Sequence, residues 1–437
     1  MRVLILSHGH PAFSIGGAEI ASHNLFRGLQ QIEGCESFYL ARATPPIRRH
    51  GHTPLMSLRQ SRHELFLHAD DYDHFWLSNR ATEDIEGHLR GYLEAVRPEV
   101  VHFHHVLGLG VETLFEVRRT LPDAVICVTF HEYLSICLNH GQMVKTSRNR
   151  LCSRASPADC GICFPDIAPA EIFKRELFIK NHLGLADCFI SPSRFLIDRY
   201  AAWGIARDKL RLLENGLEPF APVPPRELPE GGRRSRFGFF GQITEFKGMR
   251  VLLDAVTRVP EEVWGDDSAL CVFGGNLENQ PEAFQTGFRQ LMDKAGRRAK
   301  FYGSYSASDL PHLIRQVDWV VVPSIWWENS PLVIQEAFAH RRPVICSDIG
   351  GMAEKVRDEV DGLHFRVGSA EHLADRLTQA LTEPDLWDRL HANAPRPLDL
   401  QEAAREHHAL YAGLLQQRRA ERRGRRTRRA GRARAAA

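Results

Sequence analysis

An α/β protein of two doubly wound domains is the fold class this sequence predicts, and three observations carry the prediction. Short apolar runs rich in Val, Ile, Leu and Phe alternate with helix-like segments, and the alternation occurs twice, once in each half. A stretch rich in Pro and Gly, residues 219–232, separates the two series as a linker should. The 437 residues suffice for two separate hydrophobic cores.

In the first half, strands are expected at residues 2–7, 37–42, 100–105, 124–130, 188–192 and 210–214. Helices fit between them, for example at 19–30 and 193–203, and Asn215-Gly216 marks a closing turn. The second half opens with a strand at 236–240 and continues with strands at 269–274, 300–303, 319–323, 343–347 and 363–367. Its helices are expected at 248–258, 282–295, 307–316, 332–339 and 370–382, and a final helix at 399–417. The domain reading is 1–218, a linker at 219–235, a second domain at 236–397, a last helix at 398–417 and a tail at 418–437. Open α/β sheets bind ligands at the carboxyl ends of their strands, so two facing domains would put both sets of strand ends around one cleft. No repeat of solenoid type interrupts the pattern.

Composition excludes some classes. Hydrophobic content of 43% and charged content of 25% are those of an ordinary globular chain. No apolar run approaches the roughly 18 residues of a membrane helix. Met1-Arg2 followed by Val3 to Leu6 is expected to be a first strand rather than a signal-peptide core, which points to a cytoplasmic protein. Nine cysteines, an odd number scattered through a long chain, argue against a secreted disulfide framework. Cys35, Cys127, Cys188, Cys271 and Cys346 read as plain buried thiols. The net charge of +2 is uneven: residues 418–437 hold ten Arg and one Glu, or +9, leaving −7 for the rest.

The richest segment runs from Glu328 to Glu336. Residues 320–324 read as a buried strand and its exit. Ser330 suits the N-cap and Pro331 the first helical position, where its missing N–H costs nothing. The free N–H groups of Leu332 and Val333 and the positive end of the helix then offer a diphosphate site. Glu328 and Asn329 lie in the loop beside it. Glu336, further along the helix, can accept two hydrogen bonds from a ribose diol. Phosphate donors flanked by acids for hydroxyls suit a nucleotide sugar; the alternative is two glutamates on a solvated surface.

Other segments add to this reading. Residues 238–248 follow a strand and precede a helix, and Lys247 in that loop can neutralise a phosphate as a mobile charge, or be a solvated turn lysine. Ser14-Ile15-Gly16-Gly17-Ala18-Glu19 opens the first helix, and its paired glycines permit close approach of backbone N–H groups to a ligand, or simply make a tight turn. His131 ends the fourth strand; His104, His105 and His8 end others, and any of them can be a hydrogen-bonded core residue. Phe273-Gly274-Gly275, Pro323-Ser324 and Ile349-Gly350-Gly351-Met352 are small-residue strand exits that would leave room for a base and a ribose.

Cys137, Cys152, Cys160 and Cys163 fall in a Gly-, Ser- and Arg-rich insertion at about 137–165. They suit a tetrahedral structural zinc site, with ordinary thiols and a redox role as alternatives. The Arg-rich tail, with Ala, Gly and no apolar periodicity, is expected to be disordered. It could meet an anionic phospholipid surface or simply be solvated. No nucleic-acid recognition module accompanies it, so nucleic acid is not expected as a partner.

Gly16-Gly17, His131, Ser191-Pro192-Ser193, Asn215-Gly216, Lys247-Gly248, Glu328-x7-Glu336 and Gly350-Gly351 occur in an order that resembles the retaining family 4 glycosyltransferases, over roughly residues 1–415. The resemblance implies the GT-B fold, two Rossmann-like domains facing across a cleft, with the last helix crossing back onto the first. It implies a donor such as a UDP- or GDP-linked sugar, with Glu336 on the ribose and the diphosphate held by Lys247 and Ser330 to Val333. Glu328 and His131 would orient the sugar, Gly16-Gly17 would close over it, and Ser324 would face the nucleotide. Gln242 departs from the family by standing where many members have Arg. No Asp-x-Asp lies at a plausible donor position, so catalysis without a metal or other cofactor is expected. A saccharide or lipid-linked acceptor in bacterial surface polysaccharide or lipopolysaccharide synthesis is the family expectation. A sugar-nucleotide epimerase of the same architecture and a non-catalytic partner protein are the alternatives. Some family members resemble the chain in carrying a Cys-containing insertion, which would place any zinc on the acceptor side.

Overall fold

The computed structural model describes residues 1–14, 16–49, 51–80, 82–147, 150–219 and 221–435, with side chains left aside at 82–84 and 424–435. The chain divides into two compact units. The first comprises Met1–Pro192, Leu196–Glu218 and Leu398–Ala437; the second comprises Ser193–Phe195 and Pro219–Pro397.

The eight-stranded sheet of the first unit runs in the order Leu210–Leu212, Cys188–Ser191, Val125–Thr129, Val100–Phe103, Arg2–Ser7, Glu36–Arg42, Glu64–Leu67, Leu55–Ser57. Neighbours are parallel except the last pair, which is antiparallel. The central strands are buried on both faces, and Val3 to Leu6 are fully inaccessible, so they read as continuous apolar runs rather than alternations. Successive strands are laid down on opposite sides of Arg2–Ser7, which makes a switch point beside that strand.

Several elements go beyond the sequence reading. The strands Leu55–Ser57 and Glu64–Leu67 are too short for alternation to register. The helices Thr82–Val96, Thr113–Thr120 and Pro169–Leu183 also join the fold; the first holds two glycines and the second spans only two turns, which weakens their periodic signal.

The last helix, Leu400–Ala435, packs along the first, Gly17–Gln30, within this unit. Glycines make that approach possible. A Cβ on Gly28 would lie 2.5 Å from the Leu400 carbonyl oxygen, and one on Gly216 would lie 2.7 Å from the Leu400 Cα. Leu217 and Leu400 lock the segment by backbone hydrogen bonds, Leu217 N–H to Leu398 at 3.0 Å and Leu400 N–H to Leu217 at 2.7 Å. Tyr411 then reaches His102 Nδ1 at 2.6 Å, and His102 Nε2 meets Thr129 Oγ1 at 2.7 Å, a buried polar chain tying helix to sheet.

The helix continues past Gln417, where the sequence reading ended it; Arg and Ala are strong helix formers. Arg418 pairs with Asp187, Arg419 with Glu99 and Arg422 with Asp123. No described helix is long and apolar enough to cross a membrane.

The second unit holds a six-stranded parallel sheet ordered Ala299–Gly303, Ala269–Phe273, Arg236–Phe240, Trp319–Val322, Val344–Ser347, Gly362–Phe365. Trp319 and Val321 enter the core that the helices Met249–Arg258 and Ala370–Thr382 cover, while Val320 and Val322 enter the core on the other side with Ile334 and Phe338. A strand covered on both faces is therefore apolar at every position. The helix expected at 307–316 is a 3-10 turn, Ala307–Asp309, closed by a Ser306–Asp309 capping box and followed by the short helix Leu310–Ile314.

Candidate functional site

In the second unit the winding reverses between Arg236–Phe240 and Trp319–Val322, adjacent strands whose exits carry the residues singled out above. The chain leaves Phe240, passes through a 3-10 turn at Glu245–Lys247 and enters the helix Met249–Arg258. Gly248 makes that entry possible. Its φ is +74°, and a Cβ there would stand 1.8 Å from the Pro323 carbonyl oxygen. Ile325 N–H donates to the Phe246 carbonyl at 2.9 Å, so the two exit loops are stitched together. Gly248→Ala is expected to lower stability by about 2–4 kcal/mol, from a strained left-handed φ plus a backbone clash, and to shift both loops. A melting temperature within a degree of the parent would contradict this.

At the junction Lys247 Nζ donates to Glu328 Oε1 at 2.6 Å. The same oxygen accepts from Ser324 Oγ at 2.7 Å and from Trp326 Nε1 at 3.0 Å. Glu328 is buried and Lys247 half-buried. Glu328 thus holds the lysine at the strand edge, and its own Oε1 is occupied by three donors. Sequence reasoning named both residues but assigned them to different parts of a donor. It missed Trp326, whose indole N–H has no signal in a linear pattern.

The helix spans Leu332–Ala339, the range expected, but its cap differs. Pro331, with φ −64° and ψ 119°, is its N-cap, so Ser330 is not the cap and Pro331 is not the first helical residue. The extended ψ of Pro331 keeps it outside the helix. Ser330 Oγ instead accepts from the buried Gln335 Nε2 at 2.9 Å, tying the loop to the helix it precedes. Asn329 is buried and accepts on Oδ1 from Ser193 Oγ. The N–H groups at the start of this helix remain at the same edge of the sheet as Lys247.

Glu336 lies half-buried on this helix, and burial alone pushes its carboxyl up to about 7. An acid so placed gains most from a ligand that donates hydrogen bonds to its ionised form.

The glycine-rich exits have a different role from the one expected. A Cβ on Gly351 would sit 1.4 Å from the Asn329 carbonyl oxygen, and Gly351 N–H donates to Glu328 at 2.7 Å. A Cβ on Gly274 would sit 2.0 Å from the Gly241 carbonyl oxygen. The space these residues leave is filled by neighbouring loops rather than kept open for a base and a ribose.

In the first unit, four histidines and two acids gather at the ends of three adjacent strands. His104 Nδ1 and His131 Nε2 are 3.0 Å apart, and the rings of His8 and His105 are 4.6 Å apart. His105 Nε2 meets Glu132 at 3.1 Å and His8 Nε2 meets Glu19 at 3.3 Å. Burial, with the neighbouring His105 and His8, lowers His131 to about 3, so its ring is neutral. Burial raises Glu132 to about 8. Against burial, the hydrogen bond and charge of His8 hold Glu19 down to about 2. Gly16 is the N-cap of Gly17–Gln30, and a Cβ there would meet Glu19 Oε2 at 2.4 Å. Ile15, between Ser14 and Gly16, lies outside the described residues. The acids at positions 19 and 132 carried no role in the sequence reading, since only the fold brings them to the histidines.

Among the described residues, His10, His23 and Glu64 come close enough together to hold a metal. His10 Nδ1, however, accepts the Ala12 N–H at 3.1 Å, which puts the neutral ring's proton on Nε2, facing Glu64 Oε2 at 3.1 Å. That is a hydrogen bond, and the arrangement opposes metal ligation through the same nitrogen. Cys137, Cys152, Cys160 and Cys163 are reduced and half-buried.

Two family descriptions match the chain: "Glycosyltransferase Family 4" over residues 15–219 and "Glycosyl transferases group 1" over residues 225–396. The D-inositol 3-phosphate glycosyltransferase of Corynebacterium aurimucosum is 29% identical over 71% of this chain and 67% of its own length. Its counterpart from Salinispora tropica is 35% identical, over 35% of this chain and 33% of its own. Several curated relatives are matched over less than half of their own length. The sucrose-phosphate synthase of Thermosynechococcus elongatus superposes with a TM-score of 0.71 at 19% identity, covering 94% of this chain and 98% of that one. HepE of Anabaena, solved in complex with UDP, gives 0.67 at 15% identity, covering 94% and 100%. Fold matches over nearly all of the chain show the GT-B fold, and family matches in both halves make this protein a member of the family 4 glycosyltransferases.

Proposed function

We propose that this protein is a retaining glycosyltransferase that moves a sugar from a nucleotide-diphosphate sugar to a saccharide or lipid-linked acceptor. The observation that carries this reading is the edge of the second unit's sheet: a lysine at one strand exit, a helix N-terminus at the next, and an acid on that helix with its carboxyl raised to about 7. These groups suit a diphosphate and a ribose in one ligand. HepE, of the same fold, was solved with UDP and with UDP-glucose, which supports a UDP-linked donor; a GDP-linked donor is the other choice.

In this mechanism the diphosphate docks on Lys247 and the N–H groups of Ser330, Leu332 and Val333, with Glu336 on the ribose. Fixed donors stabilise the charge that grows as the bond from C1 to the diphosphate oxygen breaks, so the reaction needs no catalytic metal. The acceptor hydroxyl oxygen closes on the same face of C1 through an oxocarbenium-like state, and its proton leaves with the diphosphate. Glu328 sets Lys247 and the loop against the sugar. His131, neutral, donates a hydrogen bond to the sugar, and Gly16-Gly17 supply backbone N–H groups. His131→Ala is expected to lower kcat about 10²-fold with little change in donor KM, measured by steady-state release of the nucleotide. Equal losses in binding and turnover would remove His131 from this role.

Thermal unfolding with UDP, GDP and ADP tests the donor site. One nucleotide should stabilise the protein by about 2.7 kcal/mol at 100 times its dissociation constant, and Glu336→Ala should abolish the effect. No stabilisation by any of the three would sink the donor assignment. Product analysis without an acceptor separates transfer from epimerisation.

The basic helix beyond Gln417 is proposed to attract an anionic membrane surface on the cytoplasmic side, although three of its arginines already face acids. The full chain should co-sediment with phosphatidylglycerol vesicles at low salt, and a chain ending at Gln417 should not. Equal sedimentation would assign the tail elsewhere.

A further inference from the structure

We propose that Cys137, Cys152, Cys160 and Cys163 bind one zinc ion as four thiolates, which staples the insertion of the first unit. The four residues come from three separate pieces of local structure. Cys137 precedes a hairpin made of Val144–Lys145 and Arg150–Leu151; Cys152 follows its second strand; Cys160 and Cys163 sit three residues apart on the short helix Pro157–Cys163. All four line one small cavity of about 20 Å³, with room for a single small occupant. Three segments converging on one point through four cysteines are the layout of a structural zinc site.

Beyond Val144, apolar burial does little to hold the insertion. Between Lys145 and Ala170 no described residue is buried, and the hairpin pairs only two residues per strand. A ladder that short is marginal by itself. Coordination would supply the folding free energy that apolar burial does not.

A second observation concerns charge. Arg175 is 3% exposed, and its guanidinium donates to the carbonyls of Phe75 at 2.6 Å, Leu134 at 2.8 Å and Ser135 at 3.0 Å. Among the described residues it makes no ion pair with a carboxylate. The groups whose charge would act on it include Cys137 and Cys160. Four thiolates around Zn²⁺ leave a net charge of about −2, and a buried guanidinium beside them balances part of that charge. Tyr72, Tyr200 and Glu132 are the other groups whose charge acts with Arg175.

No three of the four sulfur atoms lie within 4.8 Å of one another as the structure stands. A tetrahedral site with bonds of about 2.3 Å needs separations of about 3.8 Å, so binding draws the sulfurs inward. Each bond would displace a thiol proton, so the site forms with proton release.

The test uses the full chain, purified from zinc-supplemented medium and analysed for metal by mass spectrometry. About one zinc per chain is expected, with near-complete loss in Cys160→Ser and Cys152→Ser and full retention in Cys35→Ser. A mercurial reagent titrated into the parent protein should release the zinc as about four thiols react, which decides the matter even where the serine variants fail to fold. Cobalt exchanged for zinc should show the thiolate charge-transfer and visible bands of a tetrahedral centre. Metal-free protein, an intact mass two hydrogens short from a disulfide, or zinc retained by both serine variants would each overturn the proposal.

Discussion

Replacing Lys247 by methionine is expected to lower kcat for sugar transfer by about 10²–10³, with a smaller change in donor KM. The reason lies at one oxygen. Lys247 Nζ, Ser324 Oγ and Trp326 Nε1 all point at Glu328 Oε1. The lysine is thereby fixed at the strand edge before any ligand arrives, and a preorganised cation stabilises developing charge without reorganising at the moment of reaction. Glu328→Gln is the informative companion. It keeps an acceptor for the hydroxyl and the indole but removes the charge that holds the lysine, so kcat should fall while the fold persists. Steady-state kinetics with the donor identified by thermal shift would measure both. A loss of less than about threefold in Lys247→Met would show that the helix N-terminus carries the diphosphate without it.

Donor affinity is expected to rise about tenfold between pH 6 and pH 8, and the rise should vanish in Glu336→Gln. With a carboxyl at about 7, Glu336 is mostly protonated at the lower pH and mostly ionised at the higher. If the ionised form takes the ribose diol, apparent affinity scales with the ionised fraction. Binding near neutrality then releases protons, which calorimetry in buffers of different ionisation enthalpy would detect. The stability of the unliganded protein moves the other way. The folded state keeps the Glu336 proton across the window from the ordinary value of 4.5 to about 7, where the unfolded chain has lost it. The stabilisation is fully present below that window and is lost as pH rises through it. Glu132, raised to about 8, acts in the same direction over a wider range. A pH-independent affinity would remove the ionised carboxylate from the donor site.

Glu328-x7-Glu336 was legible in the sequence because strand, exit loop and helix follow one another without a break, so local rules place both acids. The strands ending at Ser7, Phe240 and Val322 were legible for a related reason. A parallel strand covered on both faces must be apolar throughout, and few other settings produce a short run of that kind. The start of the helix at Met249 announced itself in Gly248, although the reason for the glycine did not. The family order of short signals rests on such local features, so family membership is readable from the residues in a line.

Other features depended on residues far apart in the chain. The bond between Lys247 and Glu328 spans 81 positions, and nothing local to either residue announces the other. Gly351 and Gly274 looked like room for a ligand and turned out to be room for a neighbouring carbonyl, because the need for a missing side chain is set by what packs against it. The acids beside the histidines and the guanidinium beside the cysteines belong to the same class. Periodicity and capping act over a few residues, so the sequence by itself determined most of the sheet strands at the two switch points, their order and the family. Electrostatic pairing and close backbone contact act through space, so only the tertiary structure decided which charges hold which loops.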